Sequence, residues 1–570
     1  MPQSIGAFYQ CYKQPFALHE VLKSFRAVYP EAPVTLLCDN GMDFSVMAEA
    51  YQCKYIHCYD RIAQDNGLVF HSVAPVLEYI KRLITQVKEM DTDWVILLED
   101  DVMVYAPVDT DKLAHTLNGI NPGEILPIPL CDYLKLPNQC YGGCGGAILS
   151  VPFIKSLDLE TVLQECTTFW NIAKKAASDM FITAIVLRFG GTIGQYEGFA
   201  ETWYPNLQQL QAQNAVKVLH QYKDLYFTLP RFKKVVIWGY PLYSHTHSYI
   251  HYGWHKAFSF LGYETQWLPD APTTQTFEDT LFITEGYADK HIPLHPSNIY
   301  IIHVLIEIEK YVQCGCKFAD MRYHVNYLHD YNYQYNLQEK LSSLTKISPM
   351  TYFEARASNK ELHPSHQRNH YTYPAFYTAW ATDLLPHEFN YNIENYPLER
   401  KTIFVGSVSN GNQQEFQKFA QACQKHGITV ETTNPWHNPL SFAENKQLIQ
   451  ACVICPDIRG SGDPARIARG EDGTCHKSNG YIPCRVFKNI SYGKLGATNS
   501  KRVQEIFGDL VVYDEDEEQL VEKCLARATD YPYIKKQMQF VATHHTYLNR
   551  VKDLLTVVSY MGAEPGRTKK

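Results

Sequence analysis

No uninterrupted apolar run in the sequence approaches the roughly 20 residues needed to span a bilayer. The nearest, "NIYIIHVLIEIEK" (298–310), is short and carries charge. The N-terminus "MPQSIGAFYQCYKQ" lacks a basic segment followed by an apolar one, so no secretory signal is expected. There is no cationic excess either. With 52 Lys and Arg against 60 Asp and Glu the net charge is −8, which argues against a broad nucleic-acid-binding face. The 16 cysteines include close pairs at Cys140/Cys144, Cys314/Cys316 and Cys452/Cys455, but no paired CxxC…CxxC framework. Reduced thiols, a cytoplasmic location and no transmembrane segment are the expectation. No internal repeat is evident.

What is present is an ordinary globular composition, 45% hydrophobic and 20% charged, long enough for three or four domains. The 40 Tyr, 27 Phe and 8 Trp suit stacking on bases or sugar rings, and equally suit aromatic cores. The first section alternates strand-like "SIGAFYQCY" (4–12), "APVTLLCDN" (32–40), "DWVILLEDD" (93–101) and "GEILPIPL" (123–130) with helix-like "HEVLKSFRAVY" (19–29) and "APVLEYIKRLITQVKEM" (74–90). Such alternation predicts an α/β domain with a largely parallel sheet, its ligands beyond the carboxyl ends of the strands. A second series runs from "KKVVIWGYPLY" (233–243) through "SNIYIIHVL" (297–305) and pauses near "YTAWATDLLPHEFN" (377–390). A third starts at "RKTIFVGSVSNGN" (400–412) and continues through "GITVETT", "ACVICPD" (451–457) and "DLVVYDED". The expected divisions are 1–230, 231–395, 396–561 and a mobile tail at 562–570.

At "ILLEDDVMV" (96–104) an apolar run ends in Glu99, Asp100 and Asp101. Three adjacent carboxylates repel one another and are costly to desolvate, unless a cation sits there or the turn is solvated. In an extended strand Glu99 and Asp101 point to one side and Asp100 to the other. A Gly-rich turn follows in "QCYGGCGGAILS" (139–150), then Asp179 at the start of an amphipathic helix. "VKVLHQYKDLY" (216–226) is expected to put His220 and Lys223 one helical turn apart. In this order the motifs resemble those of GT-A glycosyltransferases. The resemblance implies that Asp101 and His220 ligate Mn²⁺ or Mg²⁺. It implies that Asp100 contacts the ribose or assists at the metal, that Glu99 holds the turn, and that Lys223 neutralises a diphosphate leaving group. Asp39, ending the second strand, would touch the nucleoside. Asp179 would be the general base of an inverting reaction, or simply a helix N-cap.

Downstream, "HKSNGYIPCRVFKNISYGKLGATNS" (476–500) leads from a Gly-containing loop into a helix carrying Arg485 and Lys488. Helix N-terminal amides with nearby cations suit phosphate. This stretch resembles the donor region of GT-B glycosyltransferases, and "GYPLYSHTHSYIHYGWHKAFSFLGYETQWL" resembles the start of their acceptor half. By that resemblance Arg485 and Lys488 hold the donor diphosphate, with Gly406 and Ser407 approaching it. His245, His247 and Glu285 are candidate acceptor or catalytic contacts, the histidines otherwise being plain loop residues. The pair of spaced glutamates frequent on that family's donor helix is missing: Lys488, Asn489 and Ser491 stand there.

The fold expected is therefore α/β: a GT-A-like Rossmann-type domain followed by a GT-B-like pair of Rossmann-type domains. The function expected is a bifunctional glycosyltransferase, hexosyl- or pentosyl-transferring. It would take UDP- or GDP-sugars as donors and a glycan, glycoprotein or glycolipid as acceptor. Metal would serve the first domain, and none is expected in the GT-B-like module. The alternative is a single activity with the other module as acceptor-binding scaffold. A nucleotidyltransferase would need a basic Gly-rich loop that "GAFYQCYKQPF" (6–16) does not supply, and a lectin would leave the acidic cluster unexplained.

Overall fold

Apolar runs too uniform for a half-exposed strand become the central strands of parallel sheets, covered on both faces. The computed structural model describes residues 3–562 apart from 63–68, 71, 137–140, 174–175, 203, 205, 323–350, 358–371, 409–410, 435–436, 463–476 and 478–480. Cys140, most of the 476–480 loop and the tail beyond Gly562 therefore lie outside the described residues. The described chain divides into two units. One runs up to Thr228 and includes Phe260–Gly262; the other comprises Leu229–Ser259 and the chain from Tyr263 onward.

The first unit contains β1 (Ile5–Cys11), β2 (Val34–Asp39), β3 (Lys54–Cys58), β4 (Val69–Phe70), β5 (Trp94–Leu98) and β6 (Met103–Val104). These are followed by β7 (Leu117–Ile125), β8 (Tyr141–Ser150), β9 (Ala176–Ala177), β10 (Ile193–Gly194), β11 (Phe199–Glu201) and β12 (Val218–His220). The main sheet has the order β10-β7-β8-β5-β1-β2-β3. It is mixed: β1 is parallel to β2 and β5, whereas β8 runs antiparallel to β5 and β7. Every residue of β5, "WVILL", is buried. The helix Val73–Lys88 buries Val76, Ile80, Leu83, Ile84 and Val87, spaced by three and four residues as a single packed face requires. From β1 the chain passes to β2 on one side, and it later returns as β5 on the other. That leaves a switch point at the carboxyl ends of β1 and β5, where a doubly wound sheet opens a crevice.

Two local expectations give way. Residues 216–226 are not helical: Val218–His220 pairs with β11 in parallel and with β6 antiparallel, and Lys223–Leu225 is a single 3-10 turn. The alternation Val216, Val218, His220 suits a pleated surface better than a helix. In "GEILPIPL", β7 stops at Ile125 and a short helix, Ile128–Tyr133, begins with proline in its first turn, where the missing N–H costs nothing.

The second unit contains β13 (Lys234–Gly239), β14 (Thr265–Pro269), β15 (Thr280–Glu285), β16 (Ile299–His303), β17 (Lys317–Arg322), β18 (Thr351–Ala357) and β19 (Thr372–Thr378). Their order is β14-β13-β15-β16-β17-β19-β18, parallel except for the edge strand β18. The chain leaves β13 for β14 on one side and returns as β15 on the other, so Gly239 and Glu285 end at a second switch point.

The remainder carries β20 (Lys401–Val405), β21 (Thr429–Thr433), β22 (Ala497–Thr498) and β23 (Val512–Tyr513), in two parallel pairs. The stretch "ACVICPD", read as a strand, makes only isolated bridges, Glu399 to Cys452 and Asp457 to Thr498. Even so, the Val453 N–H donates to the Lys401 carbonyl at 3.1 Å, which lays this segment beside β20. Gly406 and Asp457 thus lie just past the carboxyl ends of neighbouring extended segments. No described helix is long and apolar enough to cross a membrane.

Candidate functional site

The carboxylate triplet lies just past β5, at the first switch point, and its members diverge as alternation requires. The Tyr9 hydroxyl donates to Asp100 at 2.7 Å. Burial, then the neighbouring Asp101 charge, pushes the Asp100 carboxyl up to about 7 against the lowering effect of that hydrogen bond. Glu99 and Asp101 turn the other way, to His220 on β12. His220 Nε2 lies 3.7 Å from Asp101 Oδ1 and 4.0 Å from Glu99 Oε2. Ligand atoms of Glu99, Asp101 and His220 all lie within 4.8 Å of one another. Glu99 is therefore a member of the triad as well as of the turn, a role beyond the one expected of it.

Two residues not singled out in the sequence complete this arrangement. Glu201, opposite His220 in the β11–β12 register and fully buried, lies 3.1 Å from His220 Nδ1. Gly145 on β8 leaves the space: a Cβ there would stand 2.8 Å from the Glu99 carboxylate and 2.9 Å from His220 Nε2. The set fits a divalent cation. Two hard oxygens and one imidazole suit Mn²⁺ or Mg²⁺, with Mn²⁺ the better match to nitrogen. An imidazole fixed by a carboxylate on its far nitrogen is the usual support of a metal-bound histidine. Glu201→Gln is accordingly expected to weaken Mn²⁺ binding about 10- to 100-fold in isothermal titration while leaving the fold intact. Unchanged affinity would remove Glu201 from this role.

Asp179 opens the helix Ser178–Arg188 and faces the triad. After burial, its charge is the largest influence raising the Glu99 carboxyl. Tyr226 also reaches in, hydrogen-bonding Asp101. The other expected residues are less directly placed. Asp39 is buried and engaged: Arg82 Nη1 donates to it at 2.7 Å and the Ile62 N–H at 3.0 Å, so it braces the end of β2. The backbone of Lys223 begins the 3-10 turn after β12, and its side chain lies outside the described residues.

In the second unit the switch point at β13 and β15 gathers histidines. His247 Nδ1 lies 3.3 Å from Glu285 Oε1, and the His247 N–H donates to His245 Nδ1 at 3.1 Å. Two unforeseen members, His251 and His303, approach Nε2 to Nδ1 at 3.4 Å. Burial, then repulsion from His247, depresses His245 to about 4, and burial with both neighbouring histidines depresses His251 to about 3. Both are thus neutral when folded, whereas in the unfolded chain each takes a proton below about 6.5. Their contribution to stability is complete above that pH and is lost as pH falls toward the folded values. Between pH 7 and pH 5 the parent is expected to lose about 2 kcal/mol more than His251→Gln, read from hydrogen exchange of β15 and β16 amides. Equal losses would refute the assignment.

Arg485, on the helix Cys484–Ser491, stacks 3.6 Å from the Phe404 ring, donates from Nε to the Val405 carbonyl at 2.9 Å and approaches Asp457 Oδ1 at 3.5 Å. Asp457 is already bonded to buried Arg459, at 2.8 Å from Nη2. Burial, then the Arg459 charge, lowers Arg485 to about 10. Its other terminus is aimed at Gly406, where a Cβ would stand 2.7 Å from Nη2, and Gly406 has a φ of +131°. Two guanidinium groups against one carboxylate leave a local positive charge beside the Gly406–Ser407 backbone. Lys488, expected to share that task, is buried 3.6 Å from Asp383 Oδ1 and 5.0 Å from the Phe442 ring centroid.

No family model and no curated protein match the chain. Among solved structures it is similar to the galactosyltransferase LgtC in complex with donor and acceptor sugar analogues, at 14% identity and a TM-score of 0.27, over 38% of this chain and 86% of that one. An active-site mutant of LgtC is similar at 13% identity and a TM-score of 0.27, with the same coverage of 38% and 86%. The apo structure of the bifunctional glycosyltransferase WbbM is similar at 10% identity and a TM-score of 0.28, over 39% of this chain and 46% of that one.

Proposed function

We propose that the chain is a glycosyltransferase that uses UDP- or GDP-sugar donors, with a metal-dependent, inverting centre in the first unit and a metal-independent one in the second. The observation that carries this reading is the meeting of Glu99, Asp101 and His220 at a strand switch point, with Gly145 leaving room beside them. Those three residues would hold Mn²⁺ or Mg²⁺. The ion's contribution, when bound, is to offset the charge that grows on a nucleoside diphosphate as its bond to the sugar breaks. Around it the chain's own groups divide the work. Tyr9 keeps Asp100 turned away from the triad and beside the donor crevice. Asp179 takes the proton from the acceptor hydroxyl as that oxygen attacks the anomeric carbon, a role open to a positioned carboxylate. Lys223 is the proposed partner of the departing diphosphate.

In the second unit, Arg485 with the Gly406–Ser407 backbone is the proposed diphosphate cradle. Acceptors would be a glycan, glycoprotein or glycolipid carrying the product of one unit to the other. A second reading keeps one activity and makes the second unit an acceptor-binding scaffold, favoured by the pairing of Lys488 with Asp383. The test is a donor screen on the intact protein with and without Mn²⁺, repeated on Asp101→Asn and Arg485→Ala. Separate losses, one metal-dependent and one not, are expected. If either change abolishes all transfer, two independent centres are wrong.

A further inference from the structure

Two cysteines flank one glycine in Cys314-Gly315-Cys316, between the helix Ile308–Gln313 and the start of β17. The helix closes in a paired turn. The Cys316 N–H donates to the Tyr311 carbonyl at 2.9 Å, and the Gly315 N–H to the Val312 carbonyl at 3.0 Å. This is the Schellman pattern, which calls for a left-handed residue at its bend, and Gly315 supplies it with a φ of +69°. In an extended chain, residues two apart are separated by up to about 7 Å. The left-handed bend draws these two inside the roughly 4.4–6.8 Å between Cα atoms that a disulfide spans.

The two side chains meet but differ in exposure. Cys316 hydrogen-bonds Cys314, and burial, then that bond, pushes the Cys316 thiol up to about 12. Its sulfur also lies 3.6 Å from the His295 carbonyl oxygen and packs against the cluster that contains Tyr300, Tyr311 and Phe318. Cys314 is half-buried between Gln313 and Gly315, both exposed. Space stands open at the bend, because a Cβ on Gly315 would meet nothing within 4 Å. One thiol is thus within reach of a reagent and a second waits beside it, as attacking and resolving thiols do. The other close pairs among the described residues lack that access. Cys11 and Cys38 are neighbours in the β1–β2 register, but they, like Cys452 and Cys455, are buried and serve as small core residues. A cation reading lacks a third ligand. His295 Nδ1 is engaged with Ser297 Oγ at 2.8 Å, and among the described residues the group that closes on a metal is Glu99, Asp101 and His220.

We propose that Cys314 and Cys316 form a reversible modification site, a dithiol that closes to a disulfide by exchange with a small-molecule disulfide of the glutathione type. The Cys314 sulfur, as thiolate, attacks one sulfur of oxidised glutathione. A mixed disulfide forms, the glutathione disulfide bond breaks, and the first glutathione leaves with the electron pair and takes up the proton that Cys314 gave. Cys316 then loses its proton and attacks the Cys314 sulfur. The Cys314–Cys316 bond forms, and the second glutathione leaves with its electron pair and that proton. Two protein thiols are oxidised and one small disulfide is reduced to two thiols. The site lies at the amino ends of the strands, where β16 and β17 start side by side with Ile299 opposite Lys317. Gly239 and Glu285 mark the opposite, carboxyl edge of this sheet, so the inference is independent of the transferase reading.

The test incubates the reduced full chain with oxidised glutathione, alkylates the remaining thiols after denaturation, and maps the cysteine peptides by mass spectrometry. The Cys314–Cys316 disulfide is expected to form first and to be reversed by reduced glutathione, while Cys11, Cys38, Cys452 and Cys455 are still recovered as alkylated thiols. Cys316→Ser removes the resolving thiol, so a glutathione adduct on Cys314 should persist at least about 100-fold longer than in the parent, where resolution is intramolecular. Cys314→Ser leaves only the covered thiol and should slow adduct formation about tenfold or more. Both serine variants should melt like the parent; if either does not, the disulfide mapped in the unaltered chain decides alone. The proposal is overturned if excess oxidised glutathione leaves Cys314 and Cys316 both alkylatable, or if a buried pair oxidises before them. It is overturned equally if the Cys314 adduct in a well-folded Cys316→Ser variant is as short-lived as in the parent.

Discussion

Asp101→Asn is expected to lower Mn²⁺-dependent transfer by about 10³-fold or more, the kinetic equivalent of roughly 4 kcal/mol of lost transition-state stabilisation. The substitution is nearly isosteric, so the buried turn persists: the Tyr222 N–H bonds the Asp101 backbone carbonyl, which the change leaves alone. What disappears is one of two anionic oxygens facing His220 Nε2. Asp100→Asn is the informative contrast. Asp100 is the same residue type one position earlier, yet it faces Tyr9, so its loss should cost about tenfold, near the upper worth of one ordinary hydrogen bond. Metal binding has its own readout. At Mn²⁺ one hundred times its Kd the wild type should gain about 2.7 kcal/mol of stability, and Asp101→Asn none. Equal losses in Asp100→Asn and Asp101→Asn would refute the division of labour within the triplet.

That division was partly legible in the chain. Period-two alternation already separates Glu99 and Asp101 from Asp100, and the strand ends that carry Asp101, Glu285 and Gly406 follow from apolar runs terminated by polar or glycine residues. The partners were not legible, because they come from distant sequence through the sheet. Glu201 and Gly145 reach the triad only once β11 and β8 are laid beside their neighbours. Glu201 leaves a faint trace as a lone acid closing the short apolar "GFA", but nothing local says which imidazole it will meet. The sequence predicts a helix around His220 because "VKVLHQYKDLY" fits a 3.6 period nearly as well as a pleat. Strand pairing to β6 and β11 decided the matter, as tertiary contacts override propensity. Asp39 and Lys488 look available in sequence because their partners, Arg82 and Asp383, are 43 and 105 residues away.

Arg485→Ala is the second large effect expected: about 10³-fold loss of the metal-independent transfer, with the first unit's activity unchanged. The prediction depends on preorganisation. The guanidinium is stacked on Phe404, tethered to the Val405 carbonyl and steered by Asp457, so it meets an incoming diphosphate without losing side-chain freedom. Removing it should leave the fold in place, because Asp457 retains Arg459. Arg485→Lys tests geometry apart from charge: an ammonium can neither stack as a plane nor serve Val405, Asp457 and a phosphate together, so it should recover no more than about tenfold. Gly406→Ala makes the same point from the other side, since its Cβ would occupy the space 2.7 Å from Nη2 and the residue would be strained at φ +131°. Donor KM and kcat measured for these three variants in EDTA separate the possibilities. A cradle acting on the leaving group must lower kcat in Arg485→Ala. If only KM rises, Arg485 binds donor and transition state alike, and the catalytic role assigned to it is wrong.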